Sequence, residues 1–102
     1  MSQRSKPAPS SHPLPEVLVI LPRPLLALFP EAAGEVKVRA GTVADMITTL
    51  DSLWPGMGNR LCDETPRIRQ HLSIFCNGAR AHLASPLQDG DEVYVLTAVS
   101  GG

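Results

Sequence analysis

The pattern of apolar and polar positions predicts five strands and one main helix. The run from Glu16 to Leu21 is β-branched and apolar on both faces, which is typical of a strand inside a sheet. The run from Glu35 to Arg39 alternates polar and apolar residues, which predicts a strand at a sheet edge. Three prolines interrupt the apolar residues of segment 22–34, so we expect a packed loop with one turn there.

One amphipathic helix is predicted after Thr42. Thr42 is a good N-cap, and Asp45 lies in the first turn, where a negative charge is favourable. Apolar residues then recur at helical spacing until the helix ends near Pro55-Gly56. This apolar stripe comprises Val43, Met46, Ile47, Leu50 and Leu53 or Trp54. Because a single helix in a small domain has to cover the sheet, we interpret the stripe as core rather than as a cofactor site.

The middle of the chain predicts a hairpin. A polar, irregular stretch with a short helical turn around 58–63 leads into a strand over Leu72–Cys76. Asn77-Gly78 is the pair most typical of a two-residue hairpin turn, and Arg80–Leu83 would be the short return strand.

The last strand completes the predicted fold. A turn in which Gly90 takes a left-handed conformation precedes a strand over 91–99. The order β-β-α-β-β-β then predicts an α+β domain of the β-grasp type, with the helix packed across a mixed sheet.

The chain divides into a leader, one domain and a tail. Residues 1–15 are rich in Ser and Pro and poor in residues that pack, so we expect a disordered leader. The composition, 43% hydrophobic over 102 residues, fits one domain, which we place at 16–99. Residues 100–102 are expected to form a flexible tail.

Charge and hydropathy exclude several classes of partner. The net charge is −1 and the basic residues form no run, so we expect no nucleic-acid binding. The apolar runs are too short to cross a membrane, and prolines interrupt the region where a secretory signal would be apolar. The sequence therefore predicts a cytoplasmic protein without a membrane partner.

Cysteine and histidine spacing indicates no catalytic or metal site. Cys62 and Cys76 are fourteen positions apart without a C-x-x-C or Cys/His ligand pattern. We expect Cys76 to be a small, buried apolar residue inside a strand and Cys62 to be an accessible thiol with nothing nearby to activate it. The three histidines have no nucleophile or carboxylate at a meaningful spacing. No enzyme activity and no bound cofactor are expected.

The chain ends in Gly101-Gly102 directly after the last predicted strand. Two glycines carry no side chain and accept any backbone conformation, so this end can enter a narrow channel. The three residues after Val99 extend the chain by about 10 Å. The simpler alternative is a frayed terminus, which is common at chain ends.

Three motifs carry a resemblance to a known family. They are Ile74–Gly78, the stretch Leu-Gln-Asp-Gly-Asp-Glu-Val at 87–93, and Ala-Val-Ser-Gly-Gly at 98–102. With these, residues 16–102 resemble the MoaD/ThiS ubiquitin-like sulfur carriers. Residues 57–63 and 67–75 are also similar to the CysO-type branch, which serves cysteine synthesis in actinobacteria. The leader and Ser100 depart from the family pattern and leave the pathway open.

The resemblance implies that this protein is a substrate rather than an enzyme. A MoeB/ThiF-type adenylyltransferase would supply ATP and Mg²⁺ and adenylate the carboxylate of Gly102, with Gly101 giving clearance in the channel. Sulfur would then displace the adenylate to leave a thiocarboxylate. The implied acceptors are a cysteine synthase or the large subunit of molybdopterin synthase, and a metal-dependent isopeptidase is a further possible partner.

Strand alternation predicts where partners bind. Ile74 and Cys76 would share the core face with Val93 and Val95. The opposite face would then carry an apolar patch beside the tail, a common feature of partner sites. We expect the partner-binding residues to be Phe75, Tyr94, Leu96, Val99 and Ser100. The alternative is that the proline-rich loop 22–34 covers this patch.

Other functions remain open from the sequence. A ubiquitin-like modifier would use the same adenylation but form an isopeptide bond to a lysine. The small subunit of molybdopterin synthase would insert the same tail into a larger catalytic subunit. A plain β-grasp interaction domain would carry the diglycine incidentally. The motifs are shared by carriers for cysteine, thiamine and molybdopterin, so they do not select one product.

Overall fold

The computed structural model describes residues 14–62, 68 and 72–97. The predicted leader up to residue 13 and the tail from residue 98 therefore lie outside the described residues. The elements, in chain order, are β1 Glu16–Ile20, α1 Arg23–Leu28, β2 Glu35–Arg39, α2 Val43–Leu53, α3 Met57–Leu61, β3 Leu72–Cys76, β4 Ala79–Ala81 and β5 Glu92–Thr97.

The strands form one mixed sheet in the order β2-β1-β5-β3-β4. The central pair, β1 and β5, is parallel, and the other three pairs are antiparallel. The expected α+β fold, with a mixed sheet covered by a main helix, is confirmed. Since β5 has a neighbour on each side, the strand that leads into the tail is held in the middle of the sheet.

The core lies between one face of the sheet and α2. The helix begins after Thr42, whose side-chain oxygen accepts a hydrogen bond from the backbone N–H of Asp45 at 3.2 Å, as the sequence predicts. Alternate residues of the central strands point at the helix and are fully buried. The main contributors are Val43, Met46, Ile47 and Leu50 from α2 and Val17, Val19, Ile74, Val93 and Val95 from the sheet.

Segment 22–34 contains a six-residue helix, α1, where the sequence predicted a loop with one turn. Pro24 lies in the first turn, where a missing N–H costs no helical hydrogen bond, so the proline does not prevent the helix. Leu25 is buried and anchors α1 to the core. Tertiary burial thus stabilises a helix that the sequence pattern alone disfavours.

The predicted turns of the second half are confirmed. Asn77 and Gly78 both have positive φ, 51° and 88°, which is the geometry of a two-residue hairpin turn that matches strand twist. Gly90 has φ 89°, the left-handed conformation expected before β5. The return strand β4 spans Ala79–Ala81, which is shorter and earlier than the predicted Arg80–Leu83.

Asp51 joins α2 to α3. Its Oδ1 accepts hydrogen bonds from the backbone N–H groups of Gly56 at 3.1 Å and Gly58 at 2.9 Å. Gly56 has φ 99°, so a residue with a Cβ would be strained there. The carboxylate therefore satisfies two N–H groups around the start of a helix that has no side-chain cap at Gly56.

We expect Asp51→Ala to lower the free energy of unfolding by about 1–2 kcal/mol, because two hydrogen bonds to a charged acceptor are lost at a partly buried turn. The midpoint of urea denaturation measures this change. Glu35→Ala, at an exposed acid, is the control and should leave the midpoint in place. Equal midpoints for Asp51→Ala and the control would contradict the proposed role of Asp51.

Candidate functional site: the open sheet face and the tail

The candidate site begins where β5 ends. Thr97 is the last residue of β5 and pairs with Leu72 at the start of β3. Five residues follow Thr97 in the sequence, and fully extended they reach about 17 Å. The predicted site residues Val99, Ser100, Gly101 and Gly102 all belong to this stretch and lie outside the described residues.

Beside the end of β5, the sheet face opposite α2 carries exposed apolar side chains. Tyr94 is 40% exposed and Leu96 is 44% exposed, whereas Val93 and Val95, which alternate with them along β5, are buried. Phe75 lies directly across from Tyr94 on β3, and Ile20 lies across from it on β1. We call these side chains the open-face patch. Its members are the exposed Tyr94 and Leu96 and the half-buried Leu18, Ile20 and Phe75.

The predicted alternation is confirmed for β5 and for most of β3. Ile74, Val93 and Val95 are on the core face, and Phe75 is on the open face as expected. Cys76 points to the core side but is only half-buried, because it is the last residue of β3.

Charged residues border the patch on the two outer strands. Arg80 of β4 pairs with Phe75, and its Nη2 donates a hydrogen bond to Ser73 Oγ at 3.4 Å. On the other side, Glu35 of β2 pairs with Ile20, and Lys37 pairs with Leu18. A partner that covers the patch would therefore meet apolar surface in the middle and both signs of charge at the rim.

Sequence reasoning missed Leu18 and Ile20 as members of the open-face patch and Arg80 as a residue at its border. The signal for the first two was the run of β1 that is apolar on both faces, since one of those faces is the open one. No short-range pattern places Arg80 there, because its position depends on the pairing of β4 with β3.

The loop 22–34 does not cover the patch. Leu25 is buried in the core, and the ring of Phe29 lies 3.7 Å from the point that a Cβ would occupy at Gly56, beyond the end of α2. The segment thus packs on the helical side of the sheet, while Tyr94 and Leu96 remain exposed on the other side.

The Asp-Gly-Asp motif fixes β5 against β1. The N–H of Glu16 donates to Asp89 Oδ1 at 2.9 Å, and the N–H of Gly90 donates to the carbonyl of Glu16 at 2.9 Å. The N–H of Leu18 donates to the carbonyl of Asp91, also at 2.9 Å. This turn therefore joins the start of β1 to the start of the strand that leads into the tail.

The carboxylate of Asp91 fixes the other side of β5. It accepts hydrogen bonds from the Gln88 N–H at 2.8 Å, from Asn77 Nδ2 at 2.8 Å and from Cys76 Sγ at 3.3 Å. The side chain of Asn77 in turn accepts from the N–H of Glu92 at 3.0 Å. The backbone hydrogen bond from Gln88, together with those from Asn77 and Cys76, holds the pKa of Asp91 below its usual value.

The same contact makes Cys76 a weak acid. Burial, followed by its hydrogen bond to Asp91 and the negative charge of that carboxylate, raises the pKa of Cys76 from 9.0 to about 11. Since only the thiolate is a nucleophile, Cys76 is a structural residue rather than a reactive one.

At pH 9 the ionised fraction of Cys76 should be about 50-fold smaller than that of a cysteine in an unstructured peptide, so we expect Cys76 to react more slowly with iodoacetamide. Asp91→Asn removes the facing charge and should increase the rate. The pKa of Cys76 is higher in the folded state than in the unfolded state. Its contribution to the free energy of unfolding is therefore complete below pH 9 and is lost as the pH rises towards 11. Peptide mapping separates Cys76 from Cys62, and modification of Cys76 at the unstructured rate would contradict the assignment.

Neither a metal cluster nor a membrane-spanning helix is found in the described part of the chain. Residues 14–62, 68 and 72–97 contain no cluster of three or more His, Cys, Asp or Glu side chains that suits a metal ion. Among the same residues, no helix has the length and apolar character needed to span a membrane.

Comparison with known proteins identifies the family. The model of the ThiS family matches residues 26–102, which includes β5 and the diglycine. The chain belongs to the ThiS family. This match covers most of the domain and agrees with the resemblance of the three sequence motifs.

Relatives of this ThiS-family chain are small carriers and modifiers. Small archaeal modifier protein 1 of Haloferax volcanii is 30% identical over 83 residues, covering 76% of this chain and 95% of the relative. The sulfur carrier protein CysO of Mycobacterium bovis is 30% identical over 83 residues, covering 74% of this chain and 89% of the relative.

A solved structure confirms the β-grasp type of fold. A chain in the crystal structure of the BexX/CysO complex of Amycolatopsis orientalis superposes with a TM-score of 0.75 at 26% identity. The alignment covers 84% of this ThiS-family chain and 99% of the other. In that structure a protein of this fold is bound to another protein.

Proposed function

We propose that this protein is a sulfur carrier whose Gly102 carboxylate is converted to a thiocarboxylate. The observation that supports this most is the diglycine end, placed five residues beyond a central strand in a chain of the ThiS family. The Asp-Gly-Asp motif and the contacts of Asp91 fix that strand on both sides. The domain would therefore present a short reactive end from a rigid strand.

The chemistry needs no side-chain catalyst on the carrier. One oxygen of the Gly102 carboxylate attacks the α-phosphate of ATP and releases pyrophosphate, which gives an acyl-adenylate. A sulfide then attacks the acyl carbon, the bond to the adenylate oxygen breaks, and AMP leaves. The carrier now ends in a thiocarboxylate, whose sulfur is a nucleophile. The activating enzyme supplies ATP and Mg²⁺, and the carrier itself holds no cofactor.

The open-face patch is the surface proposed to dock on a MoeB/ThiF-type activating enzyme. Tyr94 and Leu96 lie on the strand that leads into the tail, so docking there places the tail at the enzyme's channel. Val99 and Ser100 would line the channel entrance, while Gly101 lets the end pass without a side chain. Burial of an exposed tyrosine is a typical source of binding energy at an interface, and removal of the apolar surface of Leu96 from water adds to it.

A downstream enzyme then accepts the sulfur, and we place both reactions in the cytoplasm. Similarity to CysO favours a cysteine synthase as the acceptor, with a metal-dependent isopeptidase to release the product. The large subunit of molybdopterin synthase is the alternative acceptor, because its reaction requires the same thiocarboxylate.

A second candidate function is protein modification. It is favoured by the similarity to small archaeal modifier protein 1. In that case the lysine amine of a target, rather than sulfide, attacks the activated carboxylate and forms an isopeptide bond. A denaturing gel would show adducts of higher mass that disappear when Gly102 is deleted.

The proposed function is tested by alkylating the product at mildly acidic pH. The purified protein is incubated with a MoeB/ThiF-type enzyme, ATP, Mg²⁺ and sulfide, and then treated with iodoacetamide. A thiocarboxylate stays ionised under these conditions, whereas the raised pKa of Cys76 keeps that thiol protonated. We expect the label on the C-terminal peptide in an ATP-dependent manner. Its absence from that peptide with every activating enzyme tried would contradict the proposal.

A further inference from the structure

A groove lies next to the end of α2, on the helical side of the sheet. Two adjoining depressions of about 410 Å³ and 260 Å³ share Leu28, Phe29 and Pro55. The smaller one is also lined by Pro30, Glu31 and Trp54, and the larger one by Gly56, Asn59 and Arg60. Leu28 is 53% exposed, so apolar surface remains open to solvent at this groove.

The aromatic half of the groove suits one class of ligand. Trp54 and Phe29 stand beside Pro30 and Pro55, with Glu31 at the rim. Grooves lined by aromatic side chains recognise proline-rich segments, because an extended proline helix is already rigid and loses little entropy on binding. The single acidic group favours a ligand that is also cationic.

The same chain contains such a segment. Residues 6–9 read Lys-Pro-Ala-Pro, and residues 1–13 contain Arg4 and Lys6 but no acidic residue. The segment is thus complementary to the groove in both apolar character and charge. Arg60, in the other half of the groove, would repel Lys6, so the cation belongs on the Glu31 side.

Leu14, the first described residue after this segment, lies beside α2. The Leu14 carbonyl accepts a hydrogen bond from Arg39 Nη1 at 2.8 Å. The Leu14 side chain and the Asp45 carboxylate both lie within 4 Å of the point that a Cβ would occupy at Gly41. The chain therefore arrives at residue 14 beside the first turn of α2.

The distance along the helix matches the length of the segment. Asp45 and Trp54 are nine residues apart, which is about 14 Å along a helix. Going back from Leu14 in a proline-type extended conformation, five residues span about 16 Å and reach Pro9. In that conformation the segment before Pro9 is long enough to reach the aromatic half of the groove.

We propose that the groove formed by Phe29, Pro30, Trp54 and Pro55 binds the Lys6–Pro9 segment of the same chain, with Lys6 towards Glu31. The interaction is independent of the sulfur chemistry proposed above. A short tether gives an effective concentration in the millimolar range, so even an affinity of about 1 mM fills about half of the grooves.

Trp54 is the only tryptophan, so its fluorescence reports directly on the groove. The test compares acrylamide quenching of Trp54 in the full chain, in the double variant Pro7→Ser/Pro9→Ser and in the control Pro13→Ser. We expect the quenching constant to rise up to about twofold in the double variant, since half-occupied grooves become open. The control should match the unmodified chain, and the double variant should melt no more than about 3 °C lower, because a half-filled groove stabilises the fold only slightly.

A second measurement uses a synthetic peptide of residues 1–13. Added to the double variant, it should shift the indole N–H resonance of Trp54, whereas the peptide with serine at 7 and 9 should not. Equal quenching in the double variant and the unmodified chain would overturn the proposal, as would an equal rise in the control. Protection of Trp54 that disappears on dilution would also overturn it, because the occupant would then be a second copy of the chain.

Discussion

Removal of Gly101 and Gly102 is expected to abolish adenylation of the protein while leaving its fold intact. The deletion leaves a carboxylate on Ser100, which is about 7 Å short of the original end. An activated complex needs the carboxylate oxygen within reach of the α-phosphate, and a displacement far smaller than this already costs orders of magnitude in rate. We therefore expect a loss of at least about 1000-fold.

ATP–pyrophosphate exchange by the activating enzyme measures this effect. Deletion of Ser2 and Gln3 is the matched control, because it removes two residues from the other end of the chain. The control should exchange at the rate of the unmodified protein, and both deletions should melt at its temperature. Exchange at a normal rate without the diglycine would mean that the end of the chain is incidental.

Leu96→Asp is expected to weaken productive docking on the activating enzyme by about 100-fold in kcat/KM. The value corresponds to about 2.7 kcal/mol, which is typical of a central apolar contact replaced by a desolvated charge. The side chain is 44% exposed, so little packing in the free protein is lost and the fold should be preserved.

Leu53→Asp gives a stringent control for this change. Leu53 is 49% exposed and lies at the end of α2, on the side of the sheet away from the open-face patch. Both variants gain the same charge at a similar exposure, so a general effect of charge would appear in both. Equal kcat/KM values for the two variants would contradict docking through the open-face patch.

The elements that sequence reasoning predicts best are those specified by near neighbours. The N-cap at Thr42 and the helical spacing after it define α2 within one turn. Asn77-Gly78 and Gly90 define two turns, because each requires a positive φ that few residues accept. The alternation along β5 likewise predicts which of its residues are exposed.

The elements that sequence reasoning missed depend on contacts between distant residues. Helix α1 forms because Leu25 is buried by the sheet, despite a sequence with three nearby prolines. Ile20 joins the open-face patch only through parallel pairing with β5, which is far away in the chain. The Asp-Gly-Asp motif predicts a turn. The hydrogen bond between Asp91 and Asn77 joins residues 14 positions apart, so no local pattern predicts it.

Intact-mass spectrometry shows whether Gly102 carries sulfur. The full chain is incubated with a MoeB/ThiF-type activating enzyme, ATP, Mg²⁺ and sulfide, next to a reaction without ATP. We expect one oxygen to be replaced by one sulfur only when ATP is present, with the change on the C-terminal peptide. An unchanged mass in a reaction that consumes ATP to AMP, or sulfur found on Cys62 or Cys76 instead, would contradict it.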